Sequence, residues 1–175
     1  MSPDIEIVVA ADAENGIGKR GEIPWHLPGD LRFLKRITSE TRDPARRNAV
    51  LMGRVTWETI PAKWQPLPGR LNAVVTRQPG YVVPEGVIVA AGIEEAIHAI
   101  AAHDDVERLF CLGGGEIYRQ VIAMPRCRVV HLTRVEGGHG CDAFFPSIPD
   151  AYRLAHASER HEENGTGYVF QRWER

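Results

Sequence analysis

Three features of the sequence predict an α/β domain built on a mainly parallel sheet with an antiparallel C-terminal portion. Short apolar runs recur without the alternation of half-buried strands: IEIVVAA (Ile5 to Ala11), NAVLMG (Asn48 to Gly53), NAVVTR (Asn72 to Arg77), VIVAA (Val87 to Ala91) and RLFCL (Arg108 to Leu112). Such runs suit strands buried on both faces, as in a parallel sheet. Segments of helical spacing lie between several of them, whereas RVVHLTRVEG, YRLAHASERH and TGYVFQRWE follow one another after Pro125 without helices, as antiparallel strands would. At 175 residues the chain reads as one domain over residues 1–175, and a core of this size buries roughly 70% of the unfolded surface.

The elements follow in order. The first run opens into a long stretch dominated by Gly, Asn and Pro as far as Pro28. From Asp30 the apolar positions Leu31, Phe33, Leu34 and Ile37, with Arg32, Lys35 and Arg36 between them, predict a helix of about three turns with Asp30 at its head. RVTWETI predicts a short helix and PAKWQPLPGR a loop, both between the second and third runs. Ile93, Ala96, Ile97 and Ile100 recur at helical spacing, and RLFCL leads through GGG into a helical EIYRQVIA. No repeat, low-complexity segment or linker divides the chain.

Lys plus Arg (21) nearly balance Asp plus Glu (23), for a net charge of -2, which provides no field for nucleic acid and no basic stripe for a membrane. A small, locally recognised partner is expected. Cys111, Cys127 and Cys141 show no C-x-x-C spacing and sit in or beside apolar runs, so reduced thiols and no metal site are expected. The N-terminus lacks a positively charged leader and no run approaches 18 apolar residues. These features lead us to expect a cytoplasmic protein.

Gly16, Gly18 and Gly21 spell G-x-G-x-x-G after a strand-like run, the spacing of a dinucleotide fingerprint. That fingerprint needs a helix directly after the turn, because the helix start supplies N–H groups to the pyrophosphate. Here Pro24 and Pro28 remove two such donors and disfavour helical geometry in the residues before them. A loop of this length inside one domain is often a functional lid. LFCLGGGEIYRQ has the context the first cluster lacks: strand, three glycines, helix. It is either a phosphate-binding turn or a tight turn without a ligand. Asp30 likewise has two readings. It caps the helix, the commoner role for Asp there, or it points into the apolar wall of Trp25, Leu27, Leu31 and Leu34 as a carboxyl of raised pKa that anchors a cationic or amidine-like ligand or supplies a proton.

The first run into NGIGKRGEIPWHLPGDLRFLKR, then VLMGRVTWETIP, PLPGRLNAVVTR, CLGGGEIYRQVI, VVHLTRVEG and CDAFFP, resemble the dihydrofolate reductase family in order and spacing along nearly the whole chain. The resemblance implies a central, mostly parallel eight-stranded sheet flanked by four helices. It also implies NADPH-dependent reduction of 7,8-dihydrofolate to tetrahydrofolate for one-carbon metabolism, with folates and antifolate inhibitors as ligands and a monomeric chain. Carried over by motif, Asp30 pairs with the pterin 2-amino group and ring N–H, Thr133 hydrogen-bonds behind it, and Trp25 holds a bridging water. For Trp25 core packing is the alternative role, and both can hold together. Asp30 acts by polarising the pterin, with water carrying the proton to N5.

The resemblance also implies that Val8 and Leu112 offer carbonyls at the pterin edge and that Leu31, Leu34 and Ile60 line the aminobenzoyl channel. It puts Arg70 on the α-carboxylate of the glutamate, a task suited to a planar fork; without it Arg70 reads as a solvated loop residue. For the cofactor it implies backbone contacts of Ala10 and Ile17 to the nicotinamide carboxamide, with Gly18 beside them. Gly113, Gly114 and Gly115 run along the nicotinamide and diphosphate, the first two joined by a cis peptide, followed by Glu116, Ile117 and Tyr118. Arg54, Val55 and Thr56 meet the phosphates, and Thr76 with Arg77 takes the 2'-phosphate, which prefers NADPH over NADH.

The sequence departs from the family pattern at several positions. Glu116 stands where some relatives place an arginine, Leu34 where Phe is frequent, Ile23 where Met or Leu is frequent, and Cys141 where glycine precedes the lid-bonding Asp142. The segment from Thr41 to Arg47 is longer than in the shortest relatives and carries no assigned function. A same-fold reductase acting on a riboflavin-pathway pyrimidine would be expected to lack PW-x-LP-x-D and Arg70, which this chain has. Nothing positive favours a non-catalytic binding module.

Overall fold

Ile5–Ala11 forms strand β1 at the middle of the sheet in the computed structural model, which describes residues 2–175. It runs parallel to both neighbours, β6 (Val106–Cys111) and β7 (Cys127–Val135), with Ile7 opposite Cys111 on one side and Val130 on the other. A strand paired on both edges and covered on both faces needs apolar side chains at successive positions. Ile5, Ile7, Val9 and Ala11 enter one core layer and Val8 the other.

On the far side of β6 lie β3 (Arg47–Gly53), β4 (Arg70–Val75) and β5 (Ile88–Ala90), all parallel. Beyond β7 the chain turns antiparallel: β11 (Thr166–Glu174) pairs with β7, and β9 (Arg153–Ala157) and β10 (His161–Glu163) pair with β11. β10 meets the start of β11 and β9 its end, on the edge that β7 leaves free. Nine strand segments therefore occupy eight ranks, in the order β10-β11-β7-β1-β6-β3-β4-β5 with β9 beside β11.

Four helices cover the faces. α3 (Ile93–Ala101) and α4 (Gly115–Ile122) bury Ala96, Ile97, Ile100, Val121 and Ile122 against the layer of Ile5 and Ile7. On the opposite face, α1 (Pro28–Ser39) packs Leu34 and Ile37 and α2 (Arg54–Thr59) packs Trp57 against Val8, Val50, Met52 and Phe110. α1 begins two residues before the expected Asp30 because Pro28 takes the first helical position, where a missing N–H costs nothing. The segment from Thr41 to Arg47, without an expected role, is tied to β6: Glu107 accepts the Arg42 and Asp43 N–H groups (2.7 and 3.0 Å), and Arg47 donates to Asp105 (2.7 Å).

Three short strands have no counterpart in the sequence reading. β2 (Gly16–Gly18) pairs with β8 (Ala143–Phe144) as a second, two-stranded sheet, and β10 is the third. Among the described residues no helix is long and apolar enough to cross a membrane.

Candidate active site

The C-terminal ends of β1, β3, β4 and β6 open onto a cavity of about 1380 Å³, more than the ~300–1,000 Å³ of a typical single-ligand site. Val8 and Ala10 of β1 form its floor with Leu112; Asp30, Leu31 and Leu34 of α1 and Ile60 form one wall. Ile17 and Gly18 close it from the lid, and Arg54, Val55, Thr56, Thr76 and Arg77 stand at the end near β4. Gly114, Gly115, Glu116, Ile117 and Tyr118 form the wall between.

Asp30 lies in the first turn of α1 but does not cap it: the N-cap is Leu27, with no side-chain cap bond. The cap reading is therefore overturned. Its carboxylate turns towards the sheet and accepts the Thr133 hydroxyl proton at 2.6 Å. Burial pushes this carboxyl above the ordinary aspartate value; the Thr133 bond opposes the rise and the nearby charge of Glu163 adds to it. In a largely apolar cavity such a carboxyl can accept two N–H groups of a ligand when ionised and can feed a proton to water when protonated.

Trp25, Arg70, Thr133 and Gly113 are not on the cavity wall. Thr133 acts on it through Asp30. Trp25 packs over Leu27, Val135 and Tyr168 and sets its ring against His139 with centroids 5.1 Å apart, so packing is the role the geometry displays. Arg70 is not the solvated loop residue its neighbours suggest. It opens β4 at 9% exposure, donating to the Thr38 hydroxyl (2.9 Å) and the Pro68 carbonyl (3.0 Å). Among the described residues no carboxylate pairs with it, and burial lowers its pKa, as expected for a guanidinium drawn out of water.

The glycine turn bends through a cis peptide between Gly113 and Gly114. Gly113 has φ +102°, and a Cβ there would come within 2.7 Å of the Tyr118 ring, so only glycine fits. Its carbonyl accepts the Gly53 N–H (2.8 Å), and the Tyr118 hydroxyl donates to the Val8 carbonyl (2.7 Å). Two features fit a dinucleotide here: bare backbone at Gly114 and Gly115 on the wall, and the exposed Arg77 without an acidic partner among the described residues at the rim. Arg54 is engaged by Glu58 (3.0 and 3.1 Å) and Glu116 by Arg119. Thr76 accepts the Gln78 N–H (3.1 Å).

The loop expected to act as a lid is tied at its root and at its middle. Asp12 accepts N–H groups of Glu14, Gly16 and His139 (2.9, 2.8 and 2.9 Å) at its root. Asp142 donates its N–H to Gly18 (2.9 Å) and accepts that of Arg20 (3.0 Å). Cys141 thus leaves the Asp142 contact intact, its thiol lying near Asp12 (3.7 Å). Sequence reasoning missed Trp64, 48% exposed on the cavity rim after β3. An exposed tryptophan in a proline-rich loop was the available signal. It also missed Asp12, whose bonds to the Glu14 and Gly16 N–H groups form a local turn, and Glu163, whose bond to Gly29 is set by tertiary contact.

A family model described as dihydrofolate reductase matches residues 4–175. A bifunctional dihydrofolate reductase-thymidylate synthase of Arabidopsis thaliana is 43% identical over 94% of this chain and 33% of its own length. The chain thus spans about a third of such bifunctional relatives. The dihydrofolate reductase of Drosophila melanogaster is 36% identical over 94% of both chains, and that of Heliothis virescens is 40% identical over 82% of this chain and 80% of its own.

Proposed function

The chain belongs to the dihydrofolate reductase family, and from that premise we propose that it reduces 7,8-dihydrofolate to 5,6,7,8-tetrahydrofolate, with NADPH as cofactor. The observation that carries the reading is Asp30, a carboxyl of raised pKa held by Thr133 on the wall of a cavity roomy enough for two ligands side by side. Bound NADPH supplies a hydride from nicotinamide C4 to pterin C6. The chain's own residues hold the geometry and manage the proton that N5 must gain.

In this reading Asp30 accepts the pterin 2-amino and ring N–H groups, which orients the ring and raises the basicity of N5. Water reaching N5 delivers the proton, and Asp30 need not touch that atom. The Val8 and Leu112 carbonyls face the pterin edge. Tyr118, bound to the Val8 carbonyl, fixes that edge. Leu31, Leu34 and Ile60 flank the aminobenzoyl ring, and Arg70 takes the glutamate α-carboxylate once Thr38 and Pro68 share its donors. Ala10 and Ile17 hold the carboxamide, and Gly113 to Gly115 let the diphosphate lie against backbone. Thr76 and Arg77 receive the 2'-phosphate. For Arg54 to reach a phosphate, its side chain must leave Glu58, an exposed pair worth little to break.

Loss of NADPH absorbance that depends on added dihydrofolate tests the proposal. Steady oxidation with substrate and none without it is expected. Purified, folded protein that binds NADPH yet shows no such turnover would refute the reductase reading.

A further inference from the structure

α1 carries Asp30 in its first turn but has no cap of its own, so something else must satisfy its leading N–H groups. The partner comes from the other end of the chain. Glu163, the last residue of β10, accepts the Gly29 N–H at 2.7 Å, one residue before Asp30, and accepts the Tyr168 hydroxyl at 2.7 Å through the same oxygen. Asn164 extends the clamp by donating to the His26 carbonyl at 2.8 Å. Gly29 is glycine because a Cβ there would come to 2.8 Å from Glu163 Oε1 and collide with the Tyr168 hydroxyl.

We propose that Glu163 is a positioning residue for the reductase reaction: it seats the first turn of α1, holds Asp30 against Thr133 and faces it with a second negative charge. The inference rests on the reductase reading for its meaning but concerns a residue that touches neither substrate nor cofactor. A like charge nearby disfavours the ionised form, so the Glu163 carboxylate, fixed by Gly29 and Tyr168, makes Asp30 a readier proton holder. The groups facing Asp30 are Thr133 from β7, Tyr118 from α4, Tyr168 from β11 and Glu163 from β10. Those facing Glu163 are Tyr168, His161 and Arg32, the last at 3.8 Å. The Tyr168 and Gly29 bonds hold Glu163 ionised. Arg32 is mostly exposed and only weakly offsets that charge.

Glu163→Gln keeps an acceptor oxygen for Gly29 and Tyr168 while removing the charge. Tyr168→Phe does the reverse, removing one anchoring bond and leaving the charge. The Asp30 carboxyl, assigned with Asp30→Asn, is titrated by carbon-13 NMR in the full-length, ligand-free chain. Its midpoint is expected to lie above that of an ordinary aspartate, to move down in Glu163→Gln and to stay in place in Tyr168→Phe. The KM for NADPH should stay unchanged in both variants. An Asp30 midpoint that does not move in Glu163→Gln overturns the proposal. So does an equal downward movement in Tyr168→Phe, which would trace the effect to packing instead of charge. If the wild-type chain shows no dihydrofolate-dependent turnover, the reductase reading fails, while the titration still decides whether Glu163 governs Asp30.

Discussion

An ionised Asp30 in its half-buried place costs stability, and the sign follows from where the proton goes. Its folded-state pKa is raised, with burial the largest cause. As pH rises past the ordinary aspartate value of ~3.9 the unfolded chain loses this proton first, so stability falls until the folded pKa is passed. Asp30→Asn keeps an acceptor for Thr133 and removes the charge. It should stabilise the chain at pH 7 by about 0.5–2 kcal/mol, the usual gain on relieving a strained functional site, with the advantage fading in acid. Turnover at neutral pH should drop by about 10²-fold or more, in the range of acid–base contributions, and recover partly as pH falls and substrate arrives protonated. Denaturant midpoints and a pH–rate profile measure both; an unchanged rate would reduce Asp30 to a first-turn structural residue. The sequence made Asp30 conspicuous as one acid among apolar neighbours, yet spacing alone favoured the cap, because helix position says nothing of which way a short side chain turns. Arg70 was illegible for the same reason: Gly69 and Pro68 beside it suggest a loop, whereas its register opposite Asn48 at the start of β4 buries it.

At the scale of strands, Glu6 is the polar exception in the central run. Its side chain is 14% exposed and bridges both neighbours of β1: Arg108 of β6 donates through Nε (2.9 Å) and Nη2 (2.7 Å), and His131 of β7 lies 2.6 Å away. Burial alone would push this carboxyl up, but the His131 and Arg108 bonds outweigh it and hold it down at about 2. The depressed value means that its stabilisation is present above the unfolded glutamate value of ~4.3 and is lost as pH falls through about 2. Glu6→Gln should therefore cost about 2–3 kcal/mol at pH 7, below the usual penalty for breaking a fully buried pair because Arg108 is partly exposed. Denaturant unfolding of both proteins at pH 7, 4 and 2 should show the gap closing; a gap that persists at pH 2 would rule out the ionic origin. The buried strands were legible because pairing on both edges and cover on both faces force continuous apolar runs. β2 and β8 were not, since each is only two or three residues long and they join glycine-rich segments far apart in sequence. β10 escaped likewise: His161–Glu163 carries no apolar run, and its value lies in what Glu163 meets across the fold.

Across the whole molecule, the cavity gathers residues of α1, α2, the loop carrying Ile17 and Gly18, and the glycine turn around the strand ends, so a ligand there touches several elements at once. Anything that binds only the folded chain stabilises it by mass action. NADPH at about a hundred times its Kd should add ~2.7 kcal/mol, which for a chain of this length means a rise in Tm of roughly 5–10 °C. A folate ligand added afterwards should raise it again, because Leu31, Leu34 and Ile60 line one part of the cavity and Thr76 and Arg77 another. NADH at the same concentration tests the selectivity. It presents a 2'-hydroxyl where Arg77, exposed and without an acidic partner among the described residues, can pair with a phosphate dianion at charge-assisted strength. Differential scanning calorimetry with each nucleotide should therefore show a clearly smaller rise for NADH, and Arg77→Gln should bring the two rises together mainly by lowering that of NADPH. Equal rises in the wild-type chain would remove Arg77 from the 2'-phosphate and leave the cofactor held by the glycine turn and lid alone.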